Sequence, residues 1–482
     1  MIKKITLATF FVLLLLITAV TIYNSVKPMP EGTAVDGDVY LVPSKSVAFL
    51  YDITYLDKNG KRQSRQEIYD EIFRMIARAR KLIVIDMFLI NSFQGVVAEH
   101  HRDLCPELIN SLIDKKTKNP AVVIYVITDP MNIGYGGMKV EGFARLEMSG
   151  VKVIYTNLDR LRDSNIFYSG FWRVFFQWAG NSSNGGILPN LLTDASQKIT
   201  IRSLMRILNF KANHRKAVIA DAPGDKISVL VTSGNASDAS SAHVNFAVKI
   251  DDHIWRDALK SEQGIAKFSG VEIPAYTEKV NDKEGGVSVK YITESAIAKN
   301  VEKELDKSGE KDSIAISQFY FSDRDIVEAL IRAANRGAKI RLILDPNKDA
   351  FGRKTNGNPN KPVAAELLKK CGNKIQIRWY DTHGEQMHGK MMAIEGPGRY
   401  VLIQGSANYT RRNLRDLNLE ADTYVSSGKP EAYYTKAMDF FDTAWENKNG
   451  MNCTVGYEKF KNESSLAYFM YRVEEFTGFN MY

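Results

Sequence analysis

Two copies of a short motif each place a histidine and a lysine two residues apart in this 482-residue chain. The first copy contains His214 and Lys216, and the second contains His388 and Lys390. Each lysine is followed by four mostly apolar residues and then an acid, a pattern that predicts a short buried strand. Side chains two residues apart on a strand share a face. Each copy therefore directs an imidazole and an ammonium group into the same space.

Each motif is followed by a turn of small residues that carries a serine and an asparagine. These are Ser233 and Asn235 after the first copy, and Ser406 and Asn408 after the second. A single His-x-Lys pair is usually no more than the solvated edge of a strand. Two copies, each with the same downstream turn at nearly the same spacing, rarely arise by chance. The repeat therefore indicates a function.

Two imidazoles and two ammonium groups could together cleave a phosphodiester without a metal. An imidazole can act as a nucleophile or as a general acid and base. Lys216 and Lys390 would stabilise negative charge on the phosphoryl oxygens. The serines and asparagines of the two turns would donate hydrogen bonds to the same oxygens, so we predict that they bind the substrate phosphate.

The sequence predicts neither a metal nor another cofactor. Its three cysteines, Cys105, Cys371 and Cys453, lie far apart and are odd in number, which is not the pattern of a disulfide framework or a zinc knuckle. His383 and His388 are five residues apart and do not match a helical zinc pair. No glycine-rich nucleotide loop accompanies the motifs.

The motifs resemble the double His-Lys-Asp signature of the phospholipase D superfamily, and the resemblance covers most of the chain after the N-terminus. Residues 405–414 and residues 213–216 are especially similar to bacterial cardiolipin synthases. The resemblance implies an α/β fold in which two duplicated phospholipase D-like α/β/α halves share one active site.

The same resemblance implies a division of labour between the histidines. One forms a phosphohistidine, and the other protonates the leaving alcohol and then activates a second alcohol or water. By resemblance we expect His214 to be the nucleophile and His388 the acid and base. A downstream carboxylate often orients the histidine in this family, and Glu420 fits that place for His388. The first copy has Ala247 where the carboxylate is expected, so His214 is predicted to lack its usual partner unless Asp251 or another acid substitutes for it.

Alternating strand and helix patterns also favour an α/β fold, with a largely parallel sheet, and they occur twice. The apolar strands at 82–88 and 313–317 begin equivalent parts of the two halves. We predict an anchor over residues 1–25, a first half over 26–260 and a second half over 261–482.

The first half is longer because it contains an insert, placed at about residues 157–205. The insert includes 166–178, a run of aromatic residues with a single charged side chain, Arg173. It could be a core helix, or a segment that lies at a membrane surface with its rings at headgroup level. The apolar N-terminus makes us favour the membrane. The aromatic C-terminal tail is expected to pack on its own domain.

The N-terminus begins with Lys3 and Lys4, followed by an uncharged apolar run over residues 5–23. This run can just span a bilayer core, and a secretory signal peptide is the alternative. Because no clear cleavage site follows, we predict an uncleaved single-pass transmembrane helix. The positive-inside rule then places the N-terminus inside and the catalytic body on the extracytoplasmic side.

These observations predict a membrane-anchored phosphodiesterase or phosphatidyltransferase that acts on phospholipids, with cardiolipin synthase as the leading case and phosphatidylglycerol as the substrate. The net charge of +8 fits a phosphate-bearing partner, either membrane or nucleic acid. A nuclease with the same site is therefore one alternative, with nucleic acid as its partner. A lipid-binding pseudoenzyme, suggested by Ala247, is another.

Overall fold

The computed structural model describes residues 2–95, 101–190, 193, 197–223, 226–276, 285–350, 353–480 and 482. The α-helices, in chain order, are α1 (Ile2–Val26), α2 (Ile68–Arg78), α3 (Leu104–Lys118), α4 (Glu141–Met148), α5 (Ser169–Phe175), α6 (Ile201–Ile207), α7 (Trp255–Phe268), α8 (Ser295–Lys307), α9 (Arg324–Asn335), α10 (Asn360–Cys371), α11 (Arg411–Leu414), α12 (Ala432–Glu446) and α13 (Ser465–Thr477). The strands are β1 (Tyr40–Val42), β2 (Val47–Leu56), β3 (Arg62–Arg65), β4 (Leu82–Met87), β5 (Ile90–Asn91), β6 (Val123–Thr128), β7 (Lys152–Tyr155), β8 (Leu188–Pro189), β9 (Lys198–Ile199), β10 (Lys216–Ala222), β11 (Lys226–Thr232), β12 (Ala236–Ser237), β13 (Asn245–Ile250), β14 (Val287–Thr293), β15 (Ser313–Gln318), β16 (Lys339–Leu344), β17 (Asp349–Ala350), β18 (Arg353–Lys354), β19 (Ile375–Tyr380), β20 (Met391–Gly396), β21 (Arg399–Gly405), β22 (Ala421–Ser427) and β23 (Thr454–Gly456).

Two large mixed sheets carry the fold. One has the strand order β3-β2-β13-β11-β10-β4-β6-β7, and the other has β1-β14-β22-β21-β20-β15-β16-β19-β23. Only β4, β6 and β7 in the first sheet, and β15, β16 and β19 in the second, pair in parallel. The predicted α/β class is confirmed, but the prediction of a largely parallel sheet is wrong.

The two sheets repeat one topology. The run β2-β13-β11-β10-β4-β6-β7 has the same sequence of antiparallel and parallel neighbours as β14-β22-β21-β20-β15-β16-β19. The motif strands β10 and β20 occupy equivalent places, each between the parallel part and the antiparallel part of its sheet. Such strands are covered on both faces, which explains why their sequences are nearly continuous apolar runs.

The two halves share a hydrophobic core. Val229 and Phe246 of the first sheet belong to the same buried cluster as Leu402 and Phe440 of the second half. The rings of Phe246 and Phe440 lie 4.9 Å apart between centroids, with their planes at 79°. Burial of this apolar surface is the main force that fixes the halves against each other.

The chain crosses the predicted boundaries in two places. Strand β1 comes before the first sheet in sequence, yet it pairs with β14 of the second sheet, with Tyr40 opposite Val289. Helix α7 continues through the proposed junction at 260/261. A division at residue 260 would therefore cut a helix. Part of the following connection, residues 277–284, lies outside the described residues.

Helix α1 is long and apolar enough over Thr6–Val26 to cross a membrane, and its apolar window is unburied. It packs against α5, the helix in the aromatic insert. Gly170 makes this possible, because a Cβ atom at this position would lie 1.9 Å from the hydroxyl oxygen of Thr21. Residues 191–192 and 194–196 of the predicted insert are outside the described residues.

A candidate active site between the two halves

Two short backbone bridges bring the motifs of the two halves together. Asn213 bridges Leu419 in parallel, and the amide of His214 donates a 2.9 Å hydrogen bond to the Leu419 carbonyl. In the same way Val244 bridges Met387, the residue before His388. Each histidine therefore stands beside a segment from the other half of the chain.

His214 is oriented by a carboxylate of the second half. Its Nδ1 lies 2.7 Å from Oε1 of Glu420, whose side chain is fully buried. The same carboxylate accepts hydrogen bonds from the Ser406 hydroxyl and the Asn413 amide. The expectation that Glu420 orients His388 is therefore wrong, because this carboxylate contacts His214 of the first motif instead.

His388 is oriented by an amide of the first half. Its Nδ1 lies 3.0 Å from Oδ1 of Asn245, at the start of β13. Asn245 also accepts a hydrogen bond from Ser233, as Glu420 does from Ser406. Asn245 is thus the counterpart of Glu420.

Ala247 does not occupy the position that orients a histidine, unlike the prediction. It pairs with Thr232 inside the sheet and is buried there. The backbone bonds around the two turns make Ala247 equivalent to Asp422, two residues after Glu420. The position that orients a histidine is two residues earlier than the sequence spacing suggested.

The two lysines have matching surroundings. Lys216 and Lys390 each donate a 2.7 Å hydrogen bond to the carbonyl oxygen of the histidine in the same motif. Their ammonium groups also lie over aromatic rings, 5.1 Å from the centroid of Phe88 and 5.4 Å from that of Phe319. These contacts hold both cations beside the imidazoles. The prediction that histidine and lysine both lie at the start of a strand holds for Lys216 alone, since β10 begins there and β20 begins at Met391.

The serines and asparagines of the two turns occupy different places. Asn235 and Asn408 line the cavity that contains both histidines. Ser233 and Ser406 are fully buried and give their hydroxyl protons to Asn245 and Glu420, as described above. The structure therefore places the two serines behind the histidines rather than against a substrate phosphate, unlike the prediction.

One cavity of about 180 Å³ joins the two motifs. His214 and His388 lie in its wall, together with the polar groups of Gln386 and Asn413. Much of the remaining wall is apolar and comes from both halves and from the C-terminus: Phe88, Leu89, Phe93, Met131, Ile207, Phe210, Phe319 and Tyr482. A polar centre with apolar walls suits a ligand that has a charged group and hydrocarbon chains.

The empty site carries charges that are costly to bury. Burial lowers the pKa of Lys216 to about 7, and burial together with the neighbouring Lys216 lowers the pKa of Lys390 well below its usual value. Burial also lowers the pKa of both His214 and His388, with further contributions from the lysines. An anion in the cavity would offset this mutual repulsion. The site is therefore built for a negatively charged ligand.

Burial raises the pKa of Glu420 to about 8, although Lys216 opposes the change. A carboxyl group at 2.7 Å from an imidazole shares a proton with it, and an imidazolium would strongly favour the ionised carboxylate. Glu420 can therefore accommodate positive charge on His214. The neutral amide of Asn245 gives His388 no comparable charge.

A buried ion network supports Glu420 from behind. The guanidinium of Arg215, between the histidine and lysine of the first motif, lies 2.6 Å from Glu294 and 3.2 Å from Glu262. Glu294 also accepts hydrogen bonds from the backbone amides of Glu420, at 3.1 Å, and Ala34, at 2.7 Å. The network thus ties the start of β22 and the segment after α1 to the first motif.

Two aspartates that the sequence reasoning passed over hold the chain before each histidine. Asp129 accepts from the amide of Asn213, and Asp345 accepts from the amide of Met387, both at 2.8 Å. Each stands at the end of a parallel strand and precedes a proline in the sequence. The Asp-Pro pair that recurs in the sequence could have indicated that both aspartates hold the chain before a histidine.

Among the described residues, one acidic cluster has the spacing of a metal site. It consists of Glu302, Asp323 and Asp325. The guanidinium of Arg415 lies 2.9, 2.5 and 2.9 Å from these three carboxylates. An arginine therefore neutralises the cluster, and its acids are not part of the cavity wall.

Comparison with known proteins agrees with this geometry. Residues 301–445 match the family model described as cardiolipin synthase, PLD-like domain. The fold is similar to phosphatidylserine synthase from Haemophilus influenzae Rd KW20, with a TM-score of 0.55 and 9% identity, covering 96% of this chain and 98% of that one. Nuc of Salmonella typhimurium, a phospholipase D family member, matches at a TM-score of 0.26 and 18% identity over 35% of this chain and 97% of its own. No curated protein matches the chain by sequence.

Proposed function

We propose that this chain, which has a phospholipase D-like fold and carries a PLD-like domain of the cardiolipin synthase type, is a membrane-anchored enzyme that transfers or hydrolyses phosphatidyl groups of phospholipids. Cardiolipin synthesis from phosphatidylglycerol is the leading specific reaction. The observation that carries the proposal is the convergence of two histidines, one from each half and each with its lysine bonded to its own carbonyl, on a single cavity with apolar walls.

In the first step, Nε2 of His214 attacks the phosphorus atom of the lipid, and the bond to the leaving alcohol breaks. Glu420 accepts a hydrogen bond from Nδ1–H and stabilises the positive charge that develops on the ring. His388 gives its Nε2 proton to the leaving oxygen. Lys216 and Lys390 stabilise the charge on the remaining phosphoryl oxygens, and Asn235 and Asn408 donate hydrogen bonds to them.

In the second step, His388 is neutral and takes a proton from the incoming hydroxyl group. That oxygen attacks the phosphorus, and the bond to His214 breaks, which restores the free imidazole. If the incoming hydroxyl group belongs to a second phosphatidylglycerol, the product is cardiolipin. If it belongs to water, the product is phosphatidic acid. The apolar wall favours transfer because it limits access of water to the intermediate.

The acid role of His388 needs a higher pKa than the empty site allows. Burial and the neighbouring cations keep the imidazole neutral there. A bound phosphodiester brings negative charge next to the ring, and this charge raises its pKa. Protonation of the acid is thereby coupled to the arrival of the substrate.

The lipid assignment is supported by the apolar walls, by the α1 helix and by the comparisons. The matching structure from Haemophilus is a phosphatidylserine synthase, and the matching family model is of the cardiolipin synthase type. We further propose that α1 anchors the protein with its N-terminus inside and the catalytic body on the extracytoplasmic side. The first half, from about residue 26, and the second half, which begins after α7, then form one catalytic body.

The alternatives have less support. A nuclease would need bases to stack along a basic groove, whereas most of the cavity wall is apolar. The pseudoenzyme rested on the alanine at position 247, and that position does not contact a histidine. Asn245 and Glu420 give both imidazoles a hydrogen-bond acceptor.

A product assay with the purified full chain in detergent tests the proposal. One sample contains labelled phosphatidylglycerol, and the other contains a labelled single-stranded oligonucleotide. Cardiolipin and free glycerol would establish transfer, and phosphatidic acid would establish hydrolysis. Cleavage of the oligonucleotide with the lipid untouched would favour the nuclease. Silence in both samples would favour the pseudoenzyme.

Two variants make the assay specific. His214→Ala should abolish the reaction, whereas His383→Ala should retain it. His383 is a matched control because its side chain is about a third exposed and is not part of the cavity wall. Equal activity in all three proteins would point to a contaminating enzyme and would refute the proposed site.

A further inference from the structure

The last helix, α13, turns an apolar face away from the protein. Five of its apolar side chains are exposed, and they recur at intervals of three or four residues, so they form one stripe along the helix. The stripe consists of Leu466, Phe469, Met470, Val473 and Phe476. Phe479, just beyond the helix, is also exposed. A contiguous apolar surface of this kind usually marks an interaction site.

The acidic side chains of α13 point into the protein instead. Glu475 is buried and accepts hydrogen bonds from the Ser322 hydroxyl, at 2.8 Å, and from the Arg411 amide, at 2.9 Å. Glu474 accepts from the side chain of Asn358 at 2.9 Å. Along α13, every residue of which is described, Arg472 is the charged side chain left on the exposed side. This face therefore suits an apolar or anionic surface.

The end of α13 packs beside the point at which α1 leaves the body. Gly478 lies so close to the backbone of Ser164 that a Cβ atom would be 1.9 Å from the Ser164 carbonyl oxygen. The neighbouring amide of Asp163 donates a 2.9 Å hydrogen bond to the carbonyl of Asn24, at the end of α1. The C-terminal helix and the N-terminal helix thus meet at one short segment.

Helix α5 extends the apolar surface on the other side of that segment. It packs on α1 at Gly170, next to Ile17 and Thr21. The remaining rings of the aromatic insert stay exposed beside it, and these are Phe167, Phe171, Phe175 and Trp178. Rings next to the last turns of a membrane-spanning helix lie at the depth of the lipid headgroups.

We propose that the exposed face of α13, together with Phe479 and the exposed rings of α5, docks onto the lipid bilayer that α1 crosses. The bilayer is favoured over a second copy of the chain because α5 packs on α1 and the end of α13 lies beside the segment that bonds to the end of α1. The expectation that the C-terminal aromatic residues pack only on their own domain is then incomplete, since Tyr471 does so and the stripe does not. The proposal rests on membrane insertion of α1 and not on the chemistry of the cavity.

Docking in this way would place the mouth of the cavity against lipid. Phe210 lines the cavity, and its ring contacts Phe479 with a centroid distance of 5.6 Å. Tyr482, the last residue, also lines the cavity and donates a hydrogen bond to Glu474. The segment after α13 therefore joins the docking face to the cavity wall. A lipid could pass from the bilayer to the histidines without crossing open water.

Site-directed labelling tests the contact directly. A Phe469→Cys variant of the full chain is labelled with an environment-sensitive dye and reconstituted into phosphatidylglycerol–phosphatidylcholine vesicles. Quenching by lipids that carry a spin label on the acyl chain is then measured. A Met148→Cys variant, with an even more exposed apolar residue replaced on α4, is the control. The native cysteines are buried, which limits background labelling.

We expect strong quenching at position 469 and little at position 148. Equal, weak quenching at both positions would overturn the proposal. Efficient crosslinking between copies through position 469, without lipid quenching, would also overturn it, because a second copy would then cover the face. The quenching measurement reports contact with lipid whether or not the protein is catalytically active.

An activity test then asks whether docking serves the reaction. In the double variant Phe469→Glu and Phe476→Glu, turnover of phosphatidylglycerol in bilayers should fall roughly tenfold, since charge on the face opposes docking. Turnover of a water-soluble short-chain phosphatidylglycerol should stay unchanged. Equal losses on both substrates would contradict a docking role. If the native chain acts on neither substrate, the proposed reaction fails while the quenching result still decides the docking.

Discussion

The two histidines of the site differ in the group that holds Nδ1. In the first motif, Nδ1 of His214 faces a carboxylate, Glu420, at 2.7 Å. In the second, Nδ1 of His388 faces an amide, Asn245, at 3.0 Å. The lysines are held alike, since each donates a 2.7 Å bond to the carbonyl of its own histidine, whereas His243 stands beside His388 at a ring-centroid distance of 5.9 Å.

This difference makes the two duplicated histidines chemically unequal, as a mechanism with one nucleophile and one acid requires. A carboxylate stabilises an imidazole that becomes positively charged when it attacks phosphorus. An amide fixes the ring and its tautomer without stabilising the cation, so the ring gives up its proton more readily. The comparison therefore favours His214 as nucleophile and His388 as acid. It also shows that each orienting group comes from the half opposite to its histidine.

Removing either imidazole should give the largest effect and should distinguish the two roles. His214→Ala is expected to reduce turnover about 10⁴-fold, because no covalent intermediate can form. His388→Ala should still form the intermediate from a substrate with a good leaving group, such as a p-nitrophenyl phosphodiester, and should then fail to release it. Intact-mass measurement after mixing should detect the phosphorylated protein only in the His388 variant. Its detection in the His214 variant instead would reverse the roles.

Replacing the carboxylate with an amide should make the first pair like the second. Glu420→Gln keeps the shape of the side chain and its bond to Nδ1 but removes the charge. We expect turnover to fall about 100-fold with little change in apparent substrate affinity, because the charge matters mainly as the ring becomes positive. Steady-state kinetics with matched thermal unfolding curves checks this. A loss confined to KM would argue against an orienting role.

The reverse substitution should make the second pair like the first. In Asn245→Asp, the new carboxylate favours the imidazolium form and so raises the pKa of His388. Because His388 acts first as an acid, the alkaline limb of the turnover profile should move to higher pH by about one unit. Profiles of kcat against pH for both proteins measure this shift. An unmoved alkaline limb would mean that His388 is not the group that titrates there.

The smallest expected effect is on the stability of the folded protein and concerns Asp422, whose equivalent in the first half is Ala247. Burial raises the pKa of Asp422 to about 8, well above its ordinary value of 3.8. Between these two values the unfolded chain loses a proton that the native chain keeps, so Asp422 stabilises the native state less as the pH rises. The stability it contributes is complete below about pH 4 and lost through about pH 8.

Asp422→Asn should therefore become relatively more stable than the native chain as the pH rises from 5 to 8. The gain at pH 8 is expected to be about 2 kcal/mol in the free energy of unfolding. Thermal unfolding at several pH values, in the same detergent, measures the difference. A difference that is independent of pH would show that Asp422 does not titrate in this range.

Sequence alone was sufficient for what depends on local pattern. The strand predicted at 313–317 is β15, Ser313–Gln318, because an apolar run bounded by polar residues has few other solutions. The buried strands predicted after the two motifs are β10 and β20, although both histidines and Lys390 precede them. The repeat of the two motifs also predicted that both histidines would meet in one cavity.

Sequence could not reveal what depends on contacts between the halves. Glu420 is closer in sequence to His388, yet it orients His214, because the bridge between Asn213 and Leu419 brings those segments together. Likewise, Asn245 was overlooked because an amide in a strand carries no signal of its own. In each turn the asparagine side chain points into the cavity and the serine side chain points into the protein interior. The spacing of these residues in the sequence does not encode that direction.

The crossing of the orienting groups also has a consequence for the time course of synthesis. Glu420 is 206 residues after His214, so it leaves the ribosome long after the first motif. Asn245 is made 143 residues before His388 and waits for it. During translation His214 therefore exists without its carboxylate until most of the second half has been made. Neither histidine has its orienting group until both halves have been made and have docked.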